Sequence, residues 1–318
     1  MYKWGIMATG IIAETFAKAV NYAENAECYA AASRNLEKAQ KFAQKLGFKK
    51  AYGSYEELAA DPDVDIIYVA TPMSCHYDNV KLCIDNGKNV LCEKSLTCTK
   101  EEAQKLIALA REKGVFFMEA MWMKCLPVFR KALEWFQSGK IGEIETIRAD
   151  FSNFVKFDPT SRLFRKDLGG GAILDLGVYP VTLITAFLGF DYNKIVKYTN
   201  YGDIEIDRND LIIFEYPNGV YTSSLIGFDI ENENRAVIVG EKGRIAFDPW
   251  FFCTTKAKLY NKAGELLEDF DFPHLCNGYE FEIIEAQNCL DKGLKESEII
   301  PLADSKKIMD ILDYLLLN

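Results

Sequence analysis

Apolar residues in the first third of the chain follow two alternating rhythms. Short apolar runs at residues 2–7, 27–32, 66–70, 89–92 and 115–118 have the pattern of strands buried on both faces. Between them, residues 12–20, 36–46, 75–85 and 100–113 carry apolar positions three and four apart, the stripe of a helix packed on a sheet. Strand–helix–strand repetition implies a parallel sheet with helices on both faces. After about residue 120 strand-like segments follow one another directly, at 143–154, 210–216, 220–226 and 235–247. Pro217-Asn218-Gly219 reads as a hairpin turn, and Glu241-Lys242-Gly243 divides the last segment into two strands. Strands joined by hairpins form an antiparallel sheet. Helical spacing returns at 278–291 and 303–317. The expectation is an α/β chain of two domains, residues 1–120 and 121–318, sharing a close interface.

The chemistry gathers where strands end. Ala8-Thr9-Gly10-Ile11-Ile12-Ala13 follows the first strand and opens the first helix, fitting G-x-G-x-x-G/A with alanine at the first glycine. Gly10 would admit a pyrophosphate to the helix N-terminus, and Ala13 would let the helix pack close to the sheet. The competing reading is small residues placed for packing alone. The second strand ends on Ser33-Arg34, where an NAD-specific site has an acid for the ribose 2′-hydroxyl. An acid repels a 2′-phosphate, while serine and arginine bind one. The cofactor expected is NADP(H), preferred over NAD(H). Thr71, Pro72 and His76 follow the strand at 66–70, where they line the cleft, or where His76 is a structural helix-face histidine. The strand at 89–92 delivers Glu93 and Lys94 to the same edge. A lysine held there can bind a substrate hydroxyl or tune a neighbour.

Farther on, Gly169-Gly170-Gly171 precede an apolar helix start in which Asp175 and Tyr179 are four residues apart. A helix would put both on one face. Asp175 lies between Leu174 and Leu176, where an unpaired acid is costly, so a facing lysine is its expected partner. Tyr179 can transfer a proton if a cation assists it. Gly177 and Pro180 predict a kink.

Composition narrows the classes. The net charge of −10, from 37 basic and 47 acidic residues, argues against a nucleic-acid surface. No segment is expected to supply the roughly 20 apolar residues of a membrane span. Nine scattered cysteines without a CxxC pair, and two histidines, predict no metal site. With no charged-then-apolar start, they point to a cytoplasmic protein.

Together these residues resemble the glucose–fructose oxidoreductase/inositol dehydrogenase (Gfo/Idh/MocA) family. The resemblance rests on "GIMATGIIA", "ATPMSCH", "CEKSLT", "EAMWMKCLP", "GGGAILDLGVYP", "GEKGRI" and "NGYEFEI", in that order. It implies an N-terminal Rossmann dinucleotide-binding domain and a C-terminal α/β domain with a large open, mostly antiparallel sheet that joins subunits, so a homodimer or higher homo-oligomer. The family's Glu-Lys-Pro matches Glu93-Lys94 with Ser95 for proline, and its Asp-x-x-x-His matches Asp175 and Tyr179 with tyrosine for histidine. Met73 stands where an asparagine is common. "EAMW" and Tyr179 look most like the branch of dimeric dihydrodiol dehydrogenases and NADP-dependent D-xylose dehydrogenases. The resemblance implies hydride transfer between the nicotinamide and a secondary alcohol or carbonyl of a small-molecule sugar or cyclic diol. Lys94, Tyr179 and Asp175 are the expected catalytic residues. Ala8, Thr9, Gly10, Ile11, Ile12, Ser33, Arg34, Thr71, Pro72, His76, Glu93 and Lys94 are expected at the cofactor. Trp122, Phe154 and Arg162 are expected at the substrate. A non-catalytic NADP(H) sensor and an NAD-retaining glycosidase of the same fold are the alternatives. Retention of Lys94, Asp175 and Tyr179 speaks against the first, and Ser33-Arg34 against the second.

Overall fold

The computed structural model describes residues 1–202 and 205–318. The chain divides into two compact units, residues 1–125 with 274–309, and 126–273 with 310–318. The expected boundary near residue 120 is a single cut in sequence. In space, the segment 274–309 groups with the N-terminal unit.

The first unit strings together β1 (Tyr2–Met7), α1 (Ile11–Val20), β2 (Ala26–Ala32), α2 (Leu36–Leu46), β3 (Lys50–Tyr52), α3 (Tyr55–Ala60), β4 (Ile66–Val69), α4 (His76–Asp85), β5 (Asn89–Glu93), α5 (Lys100–Lys113) and β6 (Phe117–Ala120). Its six strands are parallel, in the order β3-β2-β1-β4-β5-β6. Helix starts are set locally. Asn35, Ser54 and Thr99 accept the N–H groups of Lys38, Glu57 and Glu102, and Gly47 and Gly114 close α2 and α5 in left-handed conformation. β3 and α3 were not among the predicted elements, because three half-buried and six residues are too short for a periodicity to show. The strand expected at 115–118 lies two residues later, in register with β5 so that Ala120 stands opposite Glu93. The strand order reverses between β1 and β4, and a crevice forms beyond the carboxyl ends of strands at such a point. Ala8–Gly10, Ser33-Arg34, Thr71-Pro72 and Lys94 all follow those ends.

The second unit contains α6 (Pro127–Gln137), β7 (Ile144–Ala149), β8 (Phe151–Ser152), α7 (Val178–Leu188), β9 (Lys194–Asn200), β10 (Asn209–Glu215), β11 (Tyr221–Gly227), β12 (Ala236–Gly240), β13 (Gly243–Phe247), β14 (Lys256–Asn261) and β15 (Leu266–Asp271). They form one sheet, β15-β14-β13-β12-β7-β11-β10-β9, with β8 beside β11. Only the pairings of β11 with β7 and β8 are parallel, so the expected mostly antiparallel sheet is present. The two predicted turns are there as well, with Asn218 and Gly219 at φ 63° and 75°. β9, β14 and β15 were not anticipated; their lysines, acids and half-exposed positions mask the alternation. The expectation that no segment is apolar enough to span a bilayer is corrected by the helical run Lys166–Leu188, whose mean hydropathy reaches 1.7 over 18 residues. Since 83% of that window is buried inside the fold, core packing accounts for its apolar character.

The last helices are α8 (Glu280–Asp291) and α9 (Leu302–Leu317). Just before α8 the chain wraps around its own side chain. The Glu280 carboxylate accepts the N–H groups of Leu275, Cys276, Asn277 and Gly278 at 2.8–3.2 Å and is fully buried. Asn277 Nδ2 then donates to the Thr15 carbonyl of α1 at 2.9 Å, tying the loop to the first helix. Burial alone would raise the Glu280 pKa, but the ring of N–H donors wins and holds it below the usual carboxylate value. A depressed folded-state pKa stabilises above the unfolded pKa, and that stability is lost as pH falls through the folded one. Glu280→Ala is expected to lower the unfolding free energy at pH 7 by about 3 kcal/mol, with Glu280→Gln losing roughly half as much. Urea titration should show the deficit of both shrinking in acid.

Candidate active site

The dinucleotide motif is built from an uncapped helix. Gly10 precedes α1 in extended conformation, no side chain caps the helix, and a Cβ at Gly10 would meet nothing within 4 Å. N–H groups facing open space at a helix N-terminus are a site for phosphate. Ala8 holds φ 101°, a conformation that favours glycine, and its N–H donates to the Ala32 carbonyl at 3.0 Å. Ile11 is 89% exposed beside it. At the end of β2, Ser33 is buried and accepts the Asn35 N–H at 3.4 Å, while Arg34 is exposed. These residues fit a phosphorylated dinucleotide, and no acid stands at the ribose position.

His76 is almost fully buried. Its Nε2 lies 2.9 Å from the Thr71 carbonyl oxygen, and its Nδ1 lies 3.1 Å and 3.2 Å from those of Ser95 and Leu96. Of its two readings, these contacts are those of a structural histidine that splices the turns after β4 and β5. Asn79 donates to Thr71 Oγ1 at 3.0 Å and completes the first of them. Met73, in the place of an asparagine, is buried.

The Lys94 turn is held from three sides. Glu93 points inward, accepting the Lys94 N–H at 3.1 Å on one carboxylate oxygen and the Tyr68 hydroxyl on the other. His76 meets the Ser95 and Leu96 carbonyls. Glu119 of β6 accepts the Leu96 N–H at 3.1 Å, and burial pushes its pKa up to about 7. The Lys94–Ser95 peptide is cis, at the position of the family's proline. So the adjacent acid and base part company: Glu93 is buried, and Lys94 is half-buried at the strand end.

Beneath this turn, Tyr68 stacks on Phe16 of α1 with ring centroids 3.6 Å apart. Glu282 of α8 is fully buried and neither of its oxygens has a hydrogen-bond partner among the described residues. Burial, then the Glu93 charge, raise its pKa well above the ordinary value, which favours the protonated carboxyl. Trp122, expected at the substrate, is buried and stacks on Tyr279 at 4.5 Å.

In the second unit the triple glycine makes a tight approach possible. A Cβ on Gly170 would come within 2.6 Å of the Arg162 carbonyl oxygen, and Gly171 has φ +117°. The chain then forms a π-helical turn, Ile173–Gly177, before α7. This turn is the predicted kink, with an extra residue relative to an α turn. Asp175 is largely buried and accepts from Arg162 Nη2 at 3.0 Å. Arg162, expected to line the substrate pocket, is an ion-pair partner of Asp175. Tyr179 is 4% exposed and packs against Phe151 and Phe252, at 5.6 Å and 4.7 Å between ring centroids. Phe154 is 63% exposed. The sequence reading missed Glu119, Glu282, Phe252 and Asp207, whose contacts span tens of residues. "EAMW" and "NGYEFEI" flagged the first two as motifs without showing what the acids do.

Comparison with known proteins decides what this arrangement belongs to. Residues 2–121 match the oxidoreductase family with an NAD-binding Rossmann fold, and residues 129–246 match the GFO/IDH/MocA C-terminal domain. The chain belongs to the Gfo/Idh/MocA oxidoreductase family. Trans-1,2-dihydrobenzene-1,2-diol dehydrogenase of Xenopus laevis is 38% identical, the match covering 98% of this chain and 96% of that protein. D-xylose 1-dehydrogenase (NADP(+)) of Hypocrea jecorina is 36% identical, covering 98% and 90%. Among solved structures, the 3-ketoreductase KijD10 of Actinomadura kijaniata, in complex with NADP and TDP-benzene, superposes with a TM-score of 0.86 at 26% identity, covering 98% and 96%. Levoglucosan dehydrogenase shares the fold, with a TM-score of 0.89 at 18% identity over 99% and 96%. The Gfo/Idh/MocA resemblance, the fold it implied and the oxidoreductase class all hold.

The neutral acid in this family site has a measurable signature. A carboxyl whose folded pKa is raised must take up a proton on folding, so stability falls between its unfolded and folded pKa values. On this account Glu282 contributes a drop in the wild-type unfolding free energy of about 1.4 kcal/mol per pH unit above the ordinary glutamate range. Glu119 and Asp207 add slopes of the same sign, so Glu282→Gln is expected to be shallower than the wild type by about 1.4 kcal/mol per pH unit, which denaturation at several pH values between 5 and 8 would detect.

Proposed function

We propose that this chain is an NADP(H)-dependent dehydrogenase or reductase that interconverts a secondary alcohol and a carbonyl on a sugar or cyclic diol. Near-full-length similarity to a diol dehydrogenase and to an NADP-dependent xylose dehydrogenase supports the reaction class. The observation that carries the cofactor choice is the end of β2, where Ser33 and Arg34 stand in place of a ribose-binding acid. When bound, the nicotinamide supplies the hydride chemistry. The open N-terminus of α1 at Gly10 holds the pyrophosphate, and Ser33 and Arg34 hold the 2′-phosphate. Tyr179 takes the proton of the reacting hydroxyl in oxidation and returns it in reduction. Lys94, on a turn fixed by Glu93, His76 and Glu119, holds the substrate oxygen and favours the tyrosinate. Asp175, charge-balanced by Arg162, orients the site.

The test follows nicotinamide absorbance with NADP⁺ and NAD⁺ over aldoses, inositols and trans-dihydrodiols. Turnover that prefers NADP⁺ is expected. Tyr179→Phe should lower kcat on the order of 100-fold with NADPH affinity nearly unchanged. Arg34→Ala should weaken NADPH far more than NADH. Intact turnover in Tyr179→Phe, or equal loss of both cofactors in Arg34→Ala, would remove the corresponding role.

The same reading assigns the protein to a reducing cytoplasm, supported by nine free cysteines, without nucleic-acid or membrane partners. It also makes the chain a homodimer or higher homo-oligomer through the large sheet. Support comes from the sheet's half-exposed face, where Tyr198, Leu211 and Leu225 stand side by side across β9, β10 and β11. A neighbouring row runs Val196, Ile213, Ser223, Arg148, Val237, Ala246. A broad half-exposed face that mixes apolar side chains with Ser223 and Arg148 supports a subunit surface. Light scattering on Leu211→Asp should give a mass near 36.1 kDa where the wild type gives a multiple of it; an unmodified chain of 36.1 kDa mass would sink the assignment.

A further inference from the structure

A second carboxyl cluster lies behind the segment that carries Asp175 and Tyr179, and the reaction as derived does not use it. Asp207 Oδ2 accepts the Ile173 N–H at 2.6 Å, and the Asp207 carbonyl accepts the Ala172 N–H at 3.0 Å. These N–H groups open the helical run, where no intrahelical partner exists for them. The carboxyl also lies against Gly171, since a Cβ there would come within 2.2 Å of Asp207 Oδ1. Asp207 is therefore seated on the three residues that lead into the π-helical turn. Its neighbour across the strand start is Asp210, 1% exposed. Asp210 Oδ1 accepts the Thr199 hydroxyl at 2.5 Å, and Oδ2 has no hydrogen-bond partner among the described residues. Two buried carboxyls placed this close do not both ionise at little cost, because two like charges would then meet away from water. Burial, then the Asp210 charge, raise the Asp207 pKa to about 7, and burial raises that of Asp210 against the pull of Thr199 and of Lys197 on β9. One proton kept by the pair at neutral pH follows.

We infer that Asp207 is a positioning residue: through its carboxyl on the Ile173 N–H and its carbonyl on the Ala172 N–H, it clamps the N-terminus of the segment 172–188 and so sets where Asp175 and Tyr179 stand. This rests on the reading that Tyr179 transfers the proton. The proton kept by the pair lets Asp207 accept from Ile173 without two charges meeting in the core. A displaced turn would move the phenol relative to its substrate, and misplacement of about 1 Å can cost on the order of 100-fold in rate.

The experiment compares Asp207→Ala, Asp207→Asn and Tyr179→Phe in turnover with NADP⁺ and the best sugar or diol substrate, in NADPH affinity by fluorescence, and in amide hydrogen exchange over residues 172–180. Asparagine keeps an acceptor for Ile173 and puts no charge beside Asp210. Asp207→Ala is expected to lower kcat by about 10- to 100-fold, with NADPH affinity unchanged and faster exchange at Ile173. Asp207→Asn is expected to restore most of kcat and the protection. Unaltered kcat in Asp207→Ala, or an asparagine variant no better than alanine, overturns the inference. If the alanine variant does not fold, Asp207→Asn and Asp210→Asn decide: each leaves at most one charge in the pair, and a large kcat loss with fast exchange at Ile173 in either overturns it. Intact turnover in Tyr179→Phe overturns the role of Tyr179 instead, while the exchange data still report whether Asp207 clamps the turn.

Discussion

A carboxyl taken out of water is tolerated when donors surround it or when it keeps its proton, and this fold uses both conditions to hold backbone in place. Glu93 accepts the Lys94 N–H, Glu119 the Leu96 N–H, Asp207 the Ile173 N–H, and Glu280 four N–H groups in a row. Each of these N–H groups lies just past a strand or at the start of a helix, where neither ladder nor helix supplies a partner. Functional residues belong at such places because the backbone there faces outward. Without the buried acids the same places would be loose. The turns that carry Lys94 and Asp175 are therefore held from the inside by buried core residues.

The acids differ in charge state, and the difference follows from their partners. Glu280, ringed by N–H donors, is held ionised. Glu282 has no donor among the described residues, and burial with the Glu93 charge raises its pKa, which favours the protonated form. Asp207 and Asp210 sit between these cases, with donors from Ile173 and Thr199 but also a second carboxyl close by. Two like charges in a core cannot both persist, so one proton is part of the structure there. A carboxyl that keeps its proton serves as a donor, which an apolar side chain of equal volume could not do.

Much of the fold was legible in sequence because it repeats over short distances. The parallel strands, their helices, the Asn218-Gly219 turn and the strand-end location of Glu93-Lys94 all follow from runs of fewer than about fifteen residues. What escaped needs partners brought from far away. Nothing in the spacing of Arg162 and Asp175 says that a guanidinium will turn back on that acid. His76 could be read for the cleft or for the core, and only the Ser95 and Leu96 carbonyls, some twenty residues on, decide between them. Asp207 lies in a polar stretch, "EIDRND", that carries no motif, and its meaning comes from Ile173, 34 residues earlier. The edge strands β9 and β15, and β14 next to one of them, escaped for a different reason. A strand half in water is free to carry lysines and acids, which erases the period of two.

The end of β2 shows how a local signal becomes specific once the backbone around it is fixed. Asn35 caps α2 by accepting the Lys38 N–H at 3.0 Å, and Ser33 in turn accepts the Asn35 N–H. Those two bonds set the path of the chain on both sides of Arg34, so the arginine leaves the protein from a determined point. Its guanidinium is exposed and not spent on any ion pair among the described residues. A planar cation held at a fixed origin loses less freedom on meeting a phosphate than one on a mobile loop. The preference for a phosphorylated ribose therefore depends on Asn35 as well as on Ser33 and Arg34, although Asn35 itself would not touch it.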